Sequence, residues 1–167
     1  MKIRLAGLVN DSIVDGPGFR YTVFTQGCPH HCEGCHNPQT HDFAAGYDGD
    51  TEDIVKTFSK NILLSGITLS GGEPFCQALP CAELARRAHK IGLNVWAYTG
   101  YTLEQLMNGF DVHPEWRELL EQVDVLVDGR FELSKRTLEC KWRGSSNQRL
   151  IDVKASLAAG HAVEKNN

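Results

Sequence analysis

Short apolar runs with strand-like spacing recur along the chain and alternate with stretches of helical spacing. The predicted strands cover residues 2–9, 21–25, 67–69, 94–98 and 123–127. The last of these is an almost continuous apolar run, which is typical of a buried parallel strand. Because strands and helices alternate, the order predicts an α/β fold with a mainly parallel sheet and right-handed crossovers.

Four helices are predicted between the strands, each from apolar spacing or a terminal signal. The first begins at Thr51, a predicted N-cap, and extends to an apolar residue at Ile62. The second ends at Gly92. Thr102 starts the third with the spacing of a capping box, and Pro114 occupies the first helical position of the fourth.

Length and charge limit the classes of protein that fit. The chain has 167 residues, enough for one core, and we expect a single domain over residues 1–157 with a frayed tail over 158–167. A net charge of −4 argues against nucleic-acid binding. The sequence shows no apolar run of membrane-spanning length and no signal-peptide pattern at its start, so we expect a cytoplasmic protein.

Four chemically distinctive segments follow predicted strands. They are the cysteine-rich loop 27–37, the turn 71–74, the pair 99–100 and the turn 128–130. Sites in such sheets form at the carboxyl ends of parallel strands. The order of elements therefore predicts that these segments converge on one active site.

Three cysteines, Cys28, Cys32 and Cys35, lie within eight residues of one loop. Three thiolates with no fourth nearby can ligate a [4Fe–4S] cluster and leave one iron open for chemistry. Zinc is the alternative, with a nearby histidine as fourth ligand: His31, His36 or His41. The remaining cysteines are scattered and are interpreted as reduced structural thiols: Cys76, Cys81 and Cys140.

Two further segments have both a functional and an ordinary interpretation. Gly71 and Gly72 let backbone approach a ligand, and Glu73 can then hold the ammonium group of a small zwitterion; an ordinary tight turn is the alternative. Residues 130–149 contain six basic residues against two acidic ones. This excess can dock a negatively charged partner, although a solvated face is also typical of such a run.

Taken together, these motifs resemble the radical S-adenosylmethionine enzymes. The resemblance rests on the three-cysteine spacing followed by Gly-Gly-Glu-Pro after a later strand. The segment 15–18 with Arg20 resembles the glycyl-radical activating enzymes of that superfamily. Four further segments favour one group of these enzymes, the activases of anaerobic ribonucleotide reductase: 34–35, 96–100, 127–131 and 142–148. Many radical S-adenosylmethionine enzymes have an aromatic residue at the position of Gly34, whereas glycine is usual in this group.

The resemblance implies a radical-SAM fold, a compact partial (β/α) barrel, and no catalytic residues beyond the cluster. It implies [4Fe–4S] and S-adenosyl-L-methionine as cofactors, with the cysteine triad as metal ligands. It also implies a set of cofactor-binding residues: Gly34, Cys35, His36, Gly72, Glu73, Thr99, Asp128 and Arg130. Asp15 and Arg20 would shape the approach of the partner.

The resemblance further implies two protein partners. One is an anaerobic ribonucleoside-triphosphate reductase, on which a glycyl radical is made, and the other is a flavodoxin-like electron donor. The competing class is a small iron–sulfur electron carrier or a zinc binding module. Electron carriers normally close the cluster with a fourth thiolate, which this loop lacks.

Overall fold

A seven-stranded sheet forms the centre of the computed structural model, which describes residues 1–165. The strands are β1 Lys2–Ser12, β2 Phe19–Thr25, β3 Tyr47–Asp50, β4 Leu64–Gly71, β5 Asn94–Tyr98, β6 Val125–Asp128 and β7 Arg149–Asp152. Their spatial order is β3-β1-β2-β4-β5-β6-β7. The four central strands β2, β4, β5 and β6 are parallel, and the outer pairings are antiparallel. The α/β class is therefore confirmed.

Five α-helices follow the strands, and four of them were predicted. They are α1 Thr51–Ser59, α2 Ala78–Lys90, α3 Leu103–Asn108, α4 Pro114–Leu120 and α5 Val153–Ala159. The capping box of Thr102 with Gln105 is confirmed. The predicted cap of α1 was wrong by one residue, because Asp50 accepts the hydrogen bond from the Glu52 N–H. Ile62 lies beyond the end of that helix and is 94% exposed.

The two faces of the sheet differ in character. One face carries aliphatic side chains, including Ile67, Leu69 and Val95, and packs against the helices in the main core. The opposite face carries a smaller cluster built around Trp96 and Val127. Successive side chains of a strand point to opposite faces, so a single strand supplies both layers.

The C-terminal segment packs beside β7. Residues 158 and 159 belong to α5, which ends at Gly160 in the left-handed conformation that glycine favours. The Asp152 N–H donates to the Val163 carbonyl at 2.9 Å, and the Lys165 N–H donates to the Leu150 carbonyl at 2.7 Å. Backbone hydrogen bonds to β7 thus place part of the segment 158–165 beside the sheet, and the fraying of the tail stays a prediction. Residues 166 and 167 lie outside the described residues.

No helix in residues 1–165 combines the length and the apolar character needed to cross a bilayer.

Candidate functional site

A cavity of about 370 Å³ lies at the carboxyl ends of the parallel strands. All four segments singled out in the sequence contribute to its lining: the three cysteines of the loop, Gly71 with Gly72, Thr99 with Gly100, and Gly129. The predicted convergence on one site is therefore confirmed. The physical reason is the parallel register, which brings the ends of β2, β4, β5 and β6 to the same edge.

The three cysteines of the loop are free thiols that line this cavity together. Cys28 is buried, whereas Cys32 and Cys35 are partly exposed. Burial raises the pKa of the Cys28 thiol above its ordinary value, and backbone hydrogen bonds to it oppose that shift. Within residues 1–165, no three His, Cys, Asp or Glu side chains are grouped to hold a metal ion. The described chain therefore holds neither the cysteine triad nor a zinc ligand set pre-assembled around a common point.

Backbone hydrogen bonds fix the base of the cysteine loop. The Gly27 N–H donates to the Thr40 carbonyl at 2.7 Å, and the Cys28 N–H donates to the His41 carbonyl at 3.2 Å. The Gln26 side chain also donates to the Gln39 and Asp42 carbonyls, at 2.9 and 2.7 Å. The start of the loop is thus held before any ligand binds, which lowers the ordering cost of binding.

Gly72 packs directly against the cysteine loop. Its N–H donates to the Thr25 carbonyl at 2.7 Å, and the next N–H, that of Glu73, donates to the Gly27 carbonyl at 2.8 Å. A Cβ atom at Gly72 would overlap that same carbonyl oxygen. Only glycine therefore lets the end of β4 approach the backbone that precedes Cys28.

Glu73 lies behind the cavity wall, fully buried, and does not line the cavity. Its carboxylate accepts hydrogen bonds from the Thr99 hydroxyl at 2.8 Å and from the N–H groups of Gly100 and Phe75 at 2.9 and 3.0 Å. His30 Nε2 lies 2.7 Å from the same carboxylate. Glu73 thus supports the cavity wall through internal hydrogen bonds, and its direct contact with a cofactor stays a prediction.

His30 was missed by the sequence analysis, although it carries the connection between two parts of the site. Its side chain is 4% exposed and joins the cysteine loop to Glu73. It also contacts the Tyr101 ring edge-on at 4.6 Å between centroids. The available signal was its place between Cys28 and Cys32, which the sequence alone could not distinguish from an exposed loop position.

Asp128 is also a supporting residue. It is buried and accepts hydrogen bonds from the Leu103 N–H at 2.8 Å and from Arg149 at 3.0 and 2.6 Å. Hydrogen bonding to Asp128 raises the pKa of Arg149 above its ordinary value, and Arg149 in turn lowers the pKa of Glu104. Asp128 therefore forms an internal ion pair and also lines a second depression beside the cavity, and its cofactor contact stays a prediction. Arg130 is exposed and lines a second, neighbouring depression.

Arg20, which was expected to shape the approach of the partner, lies inside the fold. Its guanidinium is fully buried and donates to Thr68, to the Ile67 carbonyl and to Asn94 at 2.6 to 2.7 Å. Burial lowers the pKa of Arg20 to about 10. Asp15 lines the cavity, while its carboxylate accepts from the hydroxyls of Ser12 and Thr22.

The loop after β6 forms the remaining wall of the cavity. Phe131 packs against the His36 ring, with the centroids 5.2 Å apart. The Gln148 side chain accepts from the Gly144 N–H at 2.8 Å and donates to the Gly129 carbonyl at 3.0 Å, which holds the loop against the end of β6. Segment 142–148, whose role could not be derived from the sequence, therefore lines the cavity.

Arg143 is the second residue that sequence analysis missed. It lines the cavity, and its buried Nε atom has no hydrogen-bond partner in the described residues. A buried donor without a partner is costly, and a bound anionic group would relieve that cost. The cavity thus combines three features that suit a cluster carrying a small zwitterionic ligand. They are the three free thiols, the backbone without side chains at Gly71 and Gly72, and the guanidinium of Arg143.

Comparison with known proteins gives the class first. The family described as "4Fe-4S single cluster domain" matches residues 14–151, which include all three loop cysteines. The chain is thus an iron–sulfur protein of the single-cluster class, and its donor set of three free thiols fits that cofactor.

The relatives then give the particular family. The anaerobic ribonucleoside-triphosphate reductase-activating protein of Vibrio cholerae is 36% identical over 144 residues, which cover 81% of this chain and 89% of the relative. Its namesake in Salmonella typhimurium is 37% identical, with coverage of 81% and 90%. That of phage T4 is 34% identical, with coverage of 82% and 86%. The chain belongs to the family of anaerobic ribonucleoside-triphosphate reductase-activating proteins.

Proposed function

We propose that the protein activates an anaerobic ribonucleoside-triphosphate reductase by making a glycyl radical on it, with S-adenosylmethionine as cosubstrate. One observation carries the proposal. Three free thiols share a cavity with Gly71 and Gly72, and none of the other three cysteines lines that cavity in the described chain. A cluster held there would keep one iron free for a ligand.

In this proposal, the loop cysteines hold the cluster and the neighbouring residues bind the cosubstrate. When bound and reduced, the cluster supplies the electron that splits S-adenosylmethionine into methionine and a 5′-deoxyadenosyl radical able to take a hydrogen atom from glycine. Gly34 and His36 line the cofactor beside the cluster, and Gly72 contacts its methionine part. Arg143 faces its carboxylate, because it is a cavity-lining cation with an unpartnered donor.

Other residues position this machinery without contacting the cosubstrate. Glu73 ties Thr99 and Gly100 to His30, so one buried carboxylate joins the end of β5 to the cysteine loop. Asp128 and Arg149 fix the turn after β6. Radical transfer depends on close placement and on a dry pocket, and it requires no general base.

The proposal extends to the fold and to the partners. Parallel strands in the order β2, β4, β5, β6, joined by helical crossovers, support a partial (β/α) barrel with the site at its upper rim. A flavodoxin-like protein in the cytoplasm supplies the electron, and the reductase supplies the glycine. The acidic character of the chain supports protein partners and not nucleic acid.

The test begins with anaerobic reconstitution of the cluster and reduction by dithionite, with and without S-adenosylmethionine. We expect a [4Fe–4S] electron paramagnetic resonance signal that changes when the cosubstrate binds, together with release of methionine and 5′-deoxyadenosine. Addition of the reductase should then give a glycyl-radical signal. A cluster indifferent to the cosubstrate would instead place the protein among the electron carriers.

Gly72→Ala gives a sharper test of the cosubstrate site. The added methyl group overlaps the Gly27 carbonyl and must displace the backbone that leads into Cys28. We expect S-adenosylmethionine to bind the reduced protein at least about tenfold more weakly, as measured by titration of the resonance signal. Gly7→Ala is the matched control, because a Cβ at Gly7 meets no atom within 4 Å. Equal affinity in the two variants would contradict the role of Gly72.

A further inference from the structure

The loop between β6 and β7, residues 130–148, concentrates positive charge in an acidic chain, and we call it the basic loop. It contains five of the 17 basic residues of the chain but only two of its 21 acidic residues. The chain as a whole has a net charge of −4. The protein is therefore strongly polarised, with positive potential gathered beside the cavity.

Three cations of the basic loop, Lys135, Arg136 and Lys141, are exposed. Lys135 lies 3.5 Å from Glu132 in a solvent-exposed pair, which holds it only weakly. Arg136 and Lys141 form no ion pair within 4.0 Å among the described residues. Arg149, just beyond the loop, differs from these residues because its guanidinium forms ion pairs with Asp128 and Glu104. The loop thus presents cations that its own chain leaves free for a partner.

Hydrogen bonds across the basic loop give its backbone a defined shape. The Thr137 N–H donates to the Gly144 carbonyl at 3.1 Å, and the Ser146 N–H donates to the Lys135 carbonyl at 2.9 Å. The Asn147 side chain donates to the Arg130 carbonyl at 2.8 Å. These bonds fix the points on the backbone from which the cationic side chains extend, which lowers the cost of ordering the loop when a partner binds.

The basic loop is continuous with the cavity. Its inner side supplies Phe131, Trp142 and Gly144 to the cavity lining. Its outer side exposes Leu138, which is 94% accessible and lies between Arg136 and Lys141 in the sequence. A protein seated on this surface would meet an apolar side chain flanked by cations, next to the opening through which a substrate must enter.

We propose that the basic loop is the docking surface for an acidic surface of the reductase, beside the segment that carries its target glycine. The inference rests on the proposed function and assigns the surface through which that function recognises its protein substrate. The reductase is the occupant because its backbone must enter the cavity that the loop borders, whereas an electron donor need only approach the cluster. Charge complementarity of this kind sets association rate and orientation.

The test is charge reversal on the intact, cluster-loaded protein. In the triple variant Lys135→Glu/Arg136→Glu/Lys141→Glu, we expect affinity for the reductase to fall roughly 100-fold. The salt dependence of that affinity should also fall, since the attraction is lost. Cleavage of S-adenosylmethionine driven by dithionite, without the reductase, should keep its wild-type rate, because the exchanged side chains lie outside the cavity lining.

A second triple variant controls for net charge. Lys56→Glu/Lys60→Glu/Lys154→Glu makes the same charge change at exposed positions elsewhere. We expect its affinity for the reductase to stay within about threefold of wild type. The iron content of both variants reports whether they fold. If the triple variant retains no iron, the milder variant Lys135→Gln/Lys141→Gln replaces it and should weaken binding of the reductase roughly tenfold.

Three results are decisive. Wild-type affinity for the reductase in the basic-loop variants would overturn the proposal. If these variants bind the reductase normally but a flavodoxin-type donor reduces their cluster poorly, the surface belongs to that donor and the proposal is also overturned. Failure of the wild-type protein to cleave S-adenosylmethionine would overturn the proposed function, and it is measured without the reductase, so the two failures are distinguishable.

Discussion

Cys32→Ala and Cys35→Ala proteins are expected to fold but to hold no [4Fe–4S] cluster. Each change removes one of three thiolates on a loop that offers no fourth cysteine. Both side chains are partly exposed, and backbone hydrogen bonds anchor the base of the loop without them. We therefore expect the apo protein to lose no more than about 1 kcal/mol of stability. Iron and sulfide analysis should fall from roughly four iron atoms per chain to a trace.

Cys76→Ala provides the matched control for this prediction. Cys76 is exposed and does not line the cavity. This variant should retain full iron content, a wild-type resonance signal and wild-type release of 5′-deoxyadenosine. Full iron content in a Cys32 or Cys35 variant would show that another group ligates the cluster, and the assignment of three cysteine ligands would be wrong.

Glu73→Ala is expected to destabilise the apo protein by about 3 kcal/mol. The change removes a fully buried carboxylate and leaves the Thr99 hydroxyl and the N–H groups of Gly100 and Phe75 without an acceptor. His30 loses its partner as well. The free energy of unfolding should be measured by urea denaturation, and the fall should appear in the midpoint and not in the slope.

Two control variants distinguish the stability lost by breaking the buried network from the stability lost by removing any carboxylate. Glu73→Gln keeps the shape and one acceptor oxygen, so it should lie between wild type and the alanine variant. Glu52→Ala removes an exposed carboxylate that pairs with Arg87, and it should change stability little. If Glu73→Ala unfolds at the wild-type midpoint, the network does not support the fold, and Glu73 returns to the list of candidate cosubstrate ligands.

The central part of the fold was predictable because its signals are local. A four-residue run such as Val125–Asp128 and the apolar stripe of α2 are determined by neighbouring residues, and both were found. Strand β3, Tyr47–Asp50, was missed because it is short and polar and exists only by pairing with β1. Strand β7 and helix α5 were missed for a similar reason, since β7 is held by antiparallel pairing with β6.

In the candidate site, too, local features could be predicted from the sequence and features set by distant contacts could not. The cysteine spacing and the Gly71–Gly72 pair identified two segments that line the cavity, because residue type and order suffice for both. The functions of Glu73, Asp128 and Arg20 could not be inferred in this way. A carboxylate or a guanidinium can face a ligand or support the fold, and burial and hydrogen-bond partners decide which. His30 was missed because its partner Glu73 lies 43 residues away in the sequence, and Arg143 because its place in the cavity wall follows from the fold of the loop after β6.

The sequence by itself therefore determined the α/β class, the three thiolates and the edge of the sheet at which the site forms. These follow from local spacing and from the rule that parallel strands share one carboxyl edge. Only the tertiary structure decided which charged groups are buried supports and which face the cavity or a partner. That choice depends on desolvation and pairing between segments tens of residues apart, as in the contact of His30 with Glu73, and no local pattern encodes it.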